Sequence, residues 1–212
     1  MEAYLSEVGA VYQRMARDEL LAHTAQLIDD QQVVGWYQGR MEFGPRALGN
    51  RSILGDPRSP EMRDTINMKI KFRESFRPFA PSILREDVAE WFELDGDSPY
   101  MLLVDQVRPD RRTIPAVTHV DGSARVHTVD KDINPLFYDL IKAFKGRTGC
   151  PNWINTAFNV RGEPIVNTPQ DAYECFMRTN MDHLVIGPFV MDKKEQKAMP
   201  GLKSAQEAFE LD

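Results

Sequence analysis

The sequence has few of the residues and patterns that mark secreted, membrane or metal-binding proteins. Its 212 residues include only two cysteines, Cys150 and Cys175, too few for a disulfide framework or a cysteine metal cluster. No apolar run approaches the roughly 18 residues of a membrane span. The first ten residues, MEAYLSEVGA, lack the basic and apolar regions of a signal peptide. We therefore expect a cytoplasmic protein with reduced thiols and no membrane partner.

Familiar catalytic motifs are missing as well. The sequence contains no GxxxxGK[ST] or GxGxxG phosphate loop, no HExxH, no GxSxG and no CxxC. The histidines lack the spacing of metal ligands, so the sequence predicts no metal site built from protein side chains alone. His119 and His127 are the two histidines that we consider as site candidates, because both lie on a predicted hairpin.

Charge is distributed unevenly along the chain. Against a formal net charge of −6, residues 40–85 hold ten basic and five acidic residues, a local net charge of +5. Globally acidic proteins are seldom nonspecific nucleic-acid binders, so nucleic acid is a poor candidate partner. The arginine side chain is a planar fork suited to phosphate or carboxylate. The charge pattern by itself leaves two alternatives open, a solvated basic face and an anion site.

Apolar periodicity predicts helices and strands that alternate along the chain. We predict one helical segment over 3–30, strands at 33–37 and 183–191, and a helix at 83–94. Asp121-Gly122 predicts a hairpin that pairs Thr118 with Arg125 and places Arg125 and His127 on one face.

Turn and capping residues mark two further helices. Asn134-Pro135 and Thr168-Pro169 are strong helix starts. The fold class predicted from this alternation is α/β (α+β), a twisted mixed sheet with flanking helices. We divide the chain into a helical appendage at 1–30, a main domain at 31–192 and a polar tail at 193–212.

Three blocks combine arginine with turn-forming residues and have little periodicity. They are GRMEFGPRALGNRSIL at 39–54, NMKIKFRESFRPFAPS at 67–82 and NTAFNVRGEP at 155–164. Turn residues expose backbone N–H groups, and such groups together with arginine can cradle an oxyanion. Each block alone fits a structural role equally well, whereas the three together favour an anion site.

At these blocks the sequence resembles a known family. Together with THVDGSARV and VIGPF, they resemble the C-terminal domain of NodU/CmcH-type O-carbamoyltransferases, typified by the nodulation-factor, cephamycin and tobramycin enzymes. The resemblance spans about residues 30–192. It implies a YrdC-like fold with an open basic concave site that converts carbamoyl phosphate and ATP into carbamoyl-adenylate. It also implies Mg²⁺ bound through phosphates, and an N-terminal transferase domain, on the same or a separate chain, that carries the acceptor.

The resemblance also implies roles for individual residues. The implied catalytic residues are Lys71, Arg77 and Arg125. The implied substrate- and ATP-binding residues are Arg46, Arg51, Arg73, His119, Asn155, Asn159 and Arg161. Ala157 stands where the family usually has serine, so a hydroxyl contact is missing. Two alternatives remain: a nucleotide or carbamoyl-phosphate binding module inactive without the transferase domain, and a YrdC-like RNA-binding module.

Overall fold

The computed structural model describes residues 1–72, 74, 76–199 and 201–202, and an eight-stranded mixed sheet forms its centre. The strands of the described chain are β1 (Gln13–Arg14), β2 (Val34–Tyr37), β3 (Arg51–Gly55), β4 (Ala80–Leu84), β5 (Val104–Gln106), β6 (Ser123–Arg125), β7 (His127–Val129), β8 (Asn152–Ala157), β9 (His183–Ile186) and β10 (Phe189–Asp192). The sheet order is β1-β10-β9-β2-β3-β8-β4-β7, and β5 and β6 form a separate two-stranded ribbon. Within the sheet, β2 runs parallel to β9 and β4 parallel to β7, whereas the other pairs are antiparallel.

Helices flank this sheet. In the described chain they are α1 (Glu2–Glu7), α2 (Arg17–Asp29), α3 (Pro60–Ile66), α4 (Val88–Trp91), α5 (Pro135–Thr148) and α6 (Pro169–Arg178). Helix α2 packs along α5, α5 contacts β4 and β8, and α6 contacts β2 and β9. None of these helices combines the length and the apolar character needed to cross a bilayer. The predicted mixed α/β fold class is confirmed.

An aromatic cluster joins α5 to the sheet and to the first arginine loop. The Phe137 and Trp153 rings lie 5.1 Å apart, and both residues are fully buried. Gly49 sits against this cluster with φ of +105°, and a Cβ there would lie 2.4 Å from the Phe137 ring. The carbonyl oxygen of Gly49 accepts a hydrogen bond from Trp36 Nε1 at 2.9 Å. Only glycine fits this approach, which fixes the loop before β3 to the core.

Several local predictions are confirmed. Strand β2 falls within the predicted 33–37 segment, and Asn134 caps α5 by accepting a hydrogen bond from the Phe137 N–H. Helix α6 begins with the reciprocal capping box of Thr168 and Asp171. These elements are specified by short-range signals, since the residues that form each cap are three positions apart.

Three secondary-structure predictions are wrong. Residues 3–30 form two helices separated by β1, which pairs with β10, rather than one helical segment. Residues 80–84 form the buried strand β4, so the predicted helix at 83–94 is reduced to a 3₁₀ turn at Arg85–Asp87 and the one-turn α4. Residues 183–191 form the two strands β9 and β10, because the chain reverses at Gly187, where φ is +56°. Apolar runs do not distinguish buried strands from buried helices, which explains the error at β4.

The predicted hairpin is also wrong in its pairing. The tight turn is present, since the His119 N–H donates to the Ser123 carbonyl and the Gly122 N–H to the His119 carbonyl. However, β6 pairs with β5, and Pro115–Val117 forms a 3₁₀ turn instead of a strand. Strand β7 leaves the ribbon and pairs with β4. Arg125 and His127 therefore lie in different sheets.

The three-part division of the chain stays a prediction. Within its first part, residues 13–14 pair with the sheet and α2 packs on α5. Within its last part, Lys193–Glu195 forms a 3₁₀ turn, and the stretch 203–212 lies outside the described residues.

Candidate anion-binding site

A cavity of about 590 Å³ opens where the three arginine-bearing blocks meet, next to the β5–β6 ribbon. Its volume is in the range of small-ligand sites. Eight of the ten residues implied by the resemblance line it: Arg46, Lys71, Arg77, His119, Arg125, Asn155, Asn159 and Arg161. Five of these are cations, and no Asp or Glu belongs to the lining among the described residues. A cavity of this composition attracts anions.

Arg46 and Arg125 are partly buried in this lining, and neither has a carboxylate partner among the described residues. The Nε atom of each is buried and has no hydrogen-bond partner within the described chain. Burial, and to a lesser degree the charge of Arg46, lower the pKa of Arg125. Two guanidinium groups held close enough to repel each other are stabilised by an anion placed between them. An anionic ligand between the two groups would therefore stabilise this pair.

Lys71 and Asn159 lock the wall formed by residues 157–163. The Lys71 ammonium donates to the Ala157 carbonyl at 2.5 Å and to the Asn159 carbonyl and Oδ1, each at 2.8 Å. Asn159 Nδ2 donates to the Glu163 carbonyl at 2.8 Å. Three acceptors thus surround a lysine that is only 5% exposed. Lys71 brings positive charge to the cavity while fixing the loop that forms one wall.

Arg77, Arg161 and His119 complete the polar lining. Both arginines are exposed to solvent, whereas His119 is partly buried. His119 Nδ1 lies 3.0 Å from Ser123 Oγ, which donates to Asp121 Oδ1 at 2.7 Å. The hydroxyl of Ser123 lowers the pKa of Asp121, so the turn is held by an ionised carboxylate. The turn thereby orients His119 at the cavity.

The other two residues implied by the resemblance do not join this group. Arg51 is 3% exposed, and its guanidinium donates to four backbone carbonyls, those of Gln38, Gly39, Asn50 and Asn167. The guanidinium also lies over the Tyr37 ring, 3.6 Å from its centre. These contacts assign Arg51 to holding the loop before β3, outside the cavity. Arg73 lies outside the described residues.

Glu42 is a functional candidate that the sequence analysis missed. Its Oε1 accepts hydrogen bonds from the backbone N–H groups of Leu48, Asn50 and Arg51 at 2.7, 2.8 and 3.2 Å. The expectation that the first block exposes its N–H groups to a ligand is therefore wrong for these three. The carboxylate folds the loop around itself and so positions Arg46. The sequence did contain a signal for this role, because Glu42 is an acidic residue among turn-forming residues and outside any predicted helix.

A hydrogen-bonded chain joins Asn155, Ser82 and His127, and the sequence analysis missed Ser82 and these connections. Asn155 Nδ2 donates to the Ala47 carbonyl at 3.0 Å and to Ser82 Oγ at 2.9 Å. Ser82 Oγ lies 2.7 Å from His127 Nδ1. Burial lowers the pKa of His127 to about 3, so its ring is neutral at physiological pH. The hairpin prediction had placed His127 beside Arg125, which concealed this arrangement.

Comparison with known proteins finds a matching family and similar relatives. Residues 25–193 match the family model described as "Carbamoyltransferase C-terminus". The chain is 50% identical over 84% of its length to nodulation protein NolO of Bradyrhizobium diazoefficiens, covering 33% of that protein. It is 43% identical over 73% of its length to the 3'-hydroxymethylcephem-O-carbamoyltransferase of Amycolatopsis lactamdurans, covering 29% of that enzyme. The chain thus spans about a third of the length of these relatives.

Solved structures show the same fold at low sequence identity. HypF of T. kodakarensis superposes with a TM-score of 0.54 at 16% identity, over 77% of this chain and 21% of HypF. A full-length HypF in a phosphate- and nucleotide-bound form gives a TM-score of 0.52 at 17% identity, over 78% of this chain and 21% of that protein. The likeness confirms the expected YrdC-like mixed sheet.

Proposed function

The chain belongs to the carbamoyltransferase C-terminal family, and we propose that it binds carbamoyl phosphate and ATP and forms carbamoyl-adenylate. The observation that carries this proposal is the pair Arg46 and Arg125, whose Nε atoms lack partners within the described chain in a cavity without carboxylates. A phosphate-bearing substrate supplies the anion that this pair requires. The relatives named as carbamoyltransferases supply the group that is transferred.

The proposed reaction has two steps, hydrolysis of carbamoyl phosphate and adenylation of the carbamate. Water cleaves carbamoyl phosphate to carbamate and phosphate, and a carbamate oxygen then attacks the α-phosphorus of ATP. The bond between the α-phosphorus and its bridging oxygen breaks, and pyrophosphate leaves with the electron pair. Phosphoryl transfer of this kind depends mainly on positioning and charge neutralisation. Arg46 and Arg125 neutralise phosphate charge, Arg77 and Arg161 add to it from exposed positions, and Lys71 holds the facing wall.

The proposal includes Mg²⁺ bound through the phosphates. Among the described residues, no carboxylate lines the cavity and no group of three or more metal-ligating side chains is found, so the proposal assigns the ion no protein ligand. Magnesium held by the phosphates would offset their charge without protein ligands. The cations of the cavity bind the remaining phosphate oxygens.

The proposal assigns acceptor transfer to another domain. The relatives are about two and a half times as long as this chain, which leaves room in them for an N-terminal domain that binds the acceptor hydroxyl. A cytoplasmic location belongs to the same proposal.

The test is pyrophosphate release by the purified chain with ATP, Mg²⁺ and carbamoyl phosphate. We expect release that requires carbamoyl phosphate and that falls about tenfold or more in Arg125→Gln, the loss expected for one charge-assisted contact. Arg14→Gln is the matched control, since Arg14 lies on β1 and is exposed. Binding without pyrophosphate release would assign a binding module instead. Absence of both binding and release in a folded protein contradicts the proposal.

A further inference from the structure

We propose that His119 is the general base that takes a proton from the water that cleaves carbamoyl phosphate, and that Ser123 and Asp121 hold its ring in the form that this role requires. This inference rests on the proposed function and deepens it, because it assigns a catalytic residue to the first of the two steps. Its basis is the direction of the hydrogen bonds in the turn at 119–123, together with the kinds of side chain that line the cavity.

The turn fixes which nitrogen of His119 carries the hydrogen. Hydrogen bonds from the Ser123 hydroxyl and N–H lower the pKa of Asp121, so its carboxylate is ionised at neutral pH and can only accept hydrogen bonds. The one hydrogen of Ser123 Oγ therefore points to Asp121 Oδ1, 2.7 Å away. His119 Nδ1 lies 3.0 Å from the same Oγ and must then donate to it. In the neutral ring this leaves Nε2 without a hydrogen and able to accept a proton.

The backbone holds these three residues together. The His119 N–H donates to the Ser123 carbonyl at 2.7 Å, and the Gly122 N–H donates to the His119 carbonyl at 3.0 Å. The φ of +82° at Gly122 favours glycine at this point of the turn. The Ser123 N–H also donates to Asp121 Oδ1 at 3.0 Å, and Ser123 begins β6 of the ribbon. The imidazole of His119, which lines the cavity, is therefore oriented before a substrate binds.

His119 is the lining side chain best able to take a proton at neutral pH. Among the described residues, the lining contains no Asp or Glu and no second histidine. Lys71 donates to three oxygen acceptors, an arrangement that requires the protonated ammonium form. Arginine stays protonated in proteins, which removes the four arginines of the lining, Arg46, Arg77, Arg125 and Arg161, as bases. The cavity thus combines cations that bind an anion with one neutral imidazole.

The step is balanced in atoms and charge. The water oxygen forms a bond to the carbonyl carbon of carbamoyl phosphate while His119 Nε2 takes one of the two water protons. The bond from that carbon to the phosphate oxygen then breaks, and the phosphate leaves with the electron pair. The second water proton passes to the phosphate, which gives carbamate and hydrogen phosphate, and the imidazolium returns its proton to solvent. The ionised Asp121 offsets the charge that His119 carries during the step.

The test supplies the product of this step directly. Pyrophosphate release is measured with ATP, Mg²⁺ and either carbamoyl phosphate or ammonium carbamate, which provides carbamate without the hydrolysis. His119→Gln keeps a side-chain donor for Ser123 but has no basic nitrogen. We expect its kcat with carbamoyl phosphate to fall about 100-fold or more, the usual contribution of a general base, with KM changed at most a few-fold. With ammonium carbamate its rate should stay within about threefold of the wild type.

Two further variants separate proton transfer from a structural role. Ser123→Ala removes the acceptor of Nδ1, so kcat with carbamoyl phosphate should fall about tenfold while the rate with ammonium carbamate is kept. A purely structural role of Ser123 would lower both rates together. His23→Gln is the matched control, because His23 lies on α2 outside the cavity lining, and it should keep both wild-type rates.

Each remaining outcome counts against a particular claim. A folded His119→Gln protein that loses both rates equally, or that keeps its rate with carbamoyl phosphate, overturns the general base. If this variant does not fold, Ser123→Ala decides, and equal effects on the two rates overturn the inference. Release by the wild type with ammonium carbamate alone also overturns it but leaves adenylation standing. Absence of release by the wild type with either substrate overturns the proposed function as well.

Discussion

Replacing Glu42 by glutamine is expected to loosen the loop that carries Arg46. The carboxylate accepts three backbone hydrogen bonds, at 2.7, 2.8 and 3.2 Å. The glutamine amide keeps one accepting oxygen but loses the negative charge. Its NH₂ group would take the place of Oε2, which is buried without a partner among the described residues. The substitution therefore weakens three hydrogen bonds and leaves a donor without an acceptor.

The magnitude follows from the difference between charged and neutral hydrogen bonds. A hydrogen bond to a charged group contributes about 1.5–3 kcal/mol and a neutral one about 1 kcal/mol. Three weakened bonds, discounted for the partial exposure of Glu42, give a loss of about 2 kcal/mol in the free energy of unfolding. For a chain of this length that corresponds to a Tm lower by about 4–8 °C.

Thermal unfolding followed by circular dichroism measures this effect. Glu93→Gln is the control, because Glu93 is exposed and a surface change of this kind is worth at most about 0.5 kcal/mol. Phosphate affinity should fall together with Tm, since the loop positions Arg46. A Tm for Glu42→Gln equal to that of the control would refute the role of the carboxylate as the internal anion of this loop.

Three further predictions follow from particular contacts. Gly49→Ala should destabilise the protein by about 3 kcal/mol or more in urea unfolding, because the new Cβ would lie 2.4 Å from the Phe137 ring. Gly146→Ala is the control and should stabilise the protein by about 0.5–1 kcal/mol, because Gly146 lies on α5 with open space around it. The reverse order of stabilities would contradict the packing. As the pH falls below 6.5, the unfolded chain binds a proton at His127 that the folded protein does not bind until about pH 3. The wild-type free energy of unfolding should therefore decrease, relative to that of His127→Gln, by about 1 kcal/mol per pH unit, and parallel pH profiles would disprove this. Ala157→Ser places a hydroxyl in the cavity lining and should tighten carbamoyl phosphate binding about fivefold in calorimetry, while weaker binding would show that the hydroxyl has no ligand partner.

Elements formed by residues close together in the sequence were predicted better than elements formed by distant residues. The helix starts at Asn134 and Thr168 were predicted correctly because each cap is made by residues three positions apart. Strand β4 was missed because its burial comes from β7 and β8, which follow it by more than forty residues. An apolar run reports burial but does not specify the partner that buries it.

The residue types of the candidate site were more predictable than the contacts that each side chain makes. The three arginine-bearing blocks could be recognised in the sequence, and eight of the ten residues taken from the resemblance line one cavity. Arg46 and Arg51 look alike in the sequence, since both lie in the same block of turn-forming glycine, proline and asparagine residues. Only the fold separates them, because backbone carbonyls surround the Arg51 guanidinium while Arg46 lines the cavity.

The sequence by itself determined the charge segregation, the capped helices and the kind of ligand that the basic loops favour. The tertiary structure alone decided which polar groups are satisfied within the protein and which remain for a ligand. Asn155 illustrates the reason, because its hydrogen-bond partners Ala47 and Ser82 lie 108 and 73 residues away. A buried polar group is defined by the partners that the fold brings to it, and those partners are invisible to any local pattern.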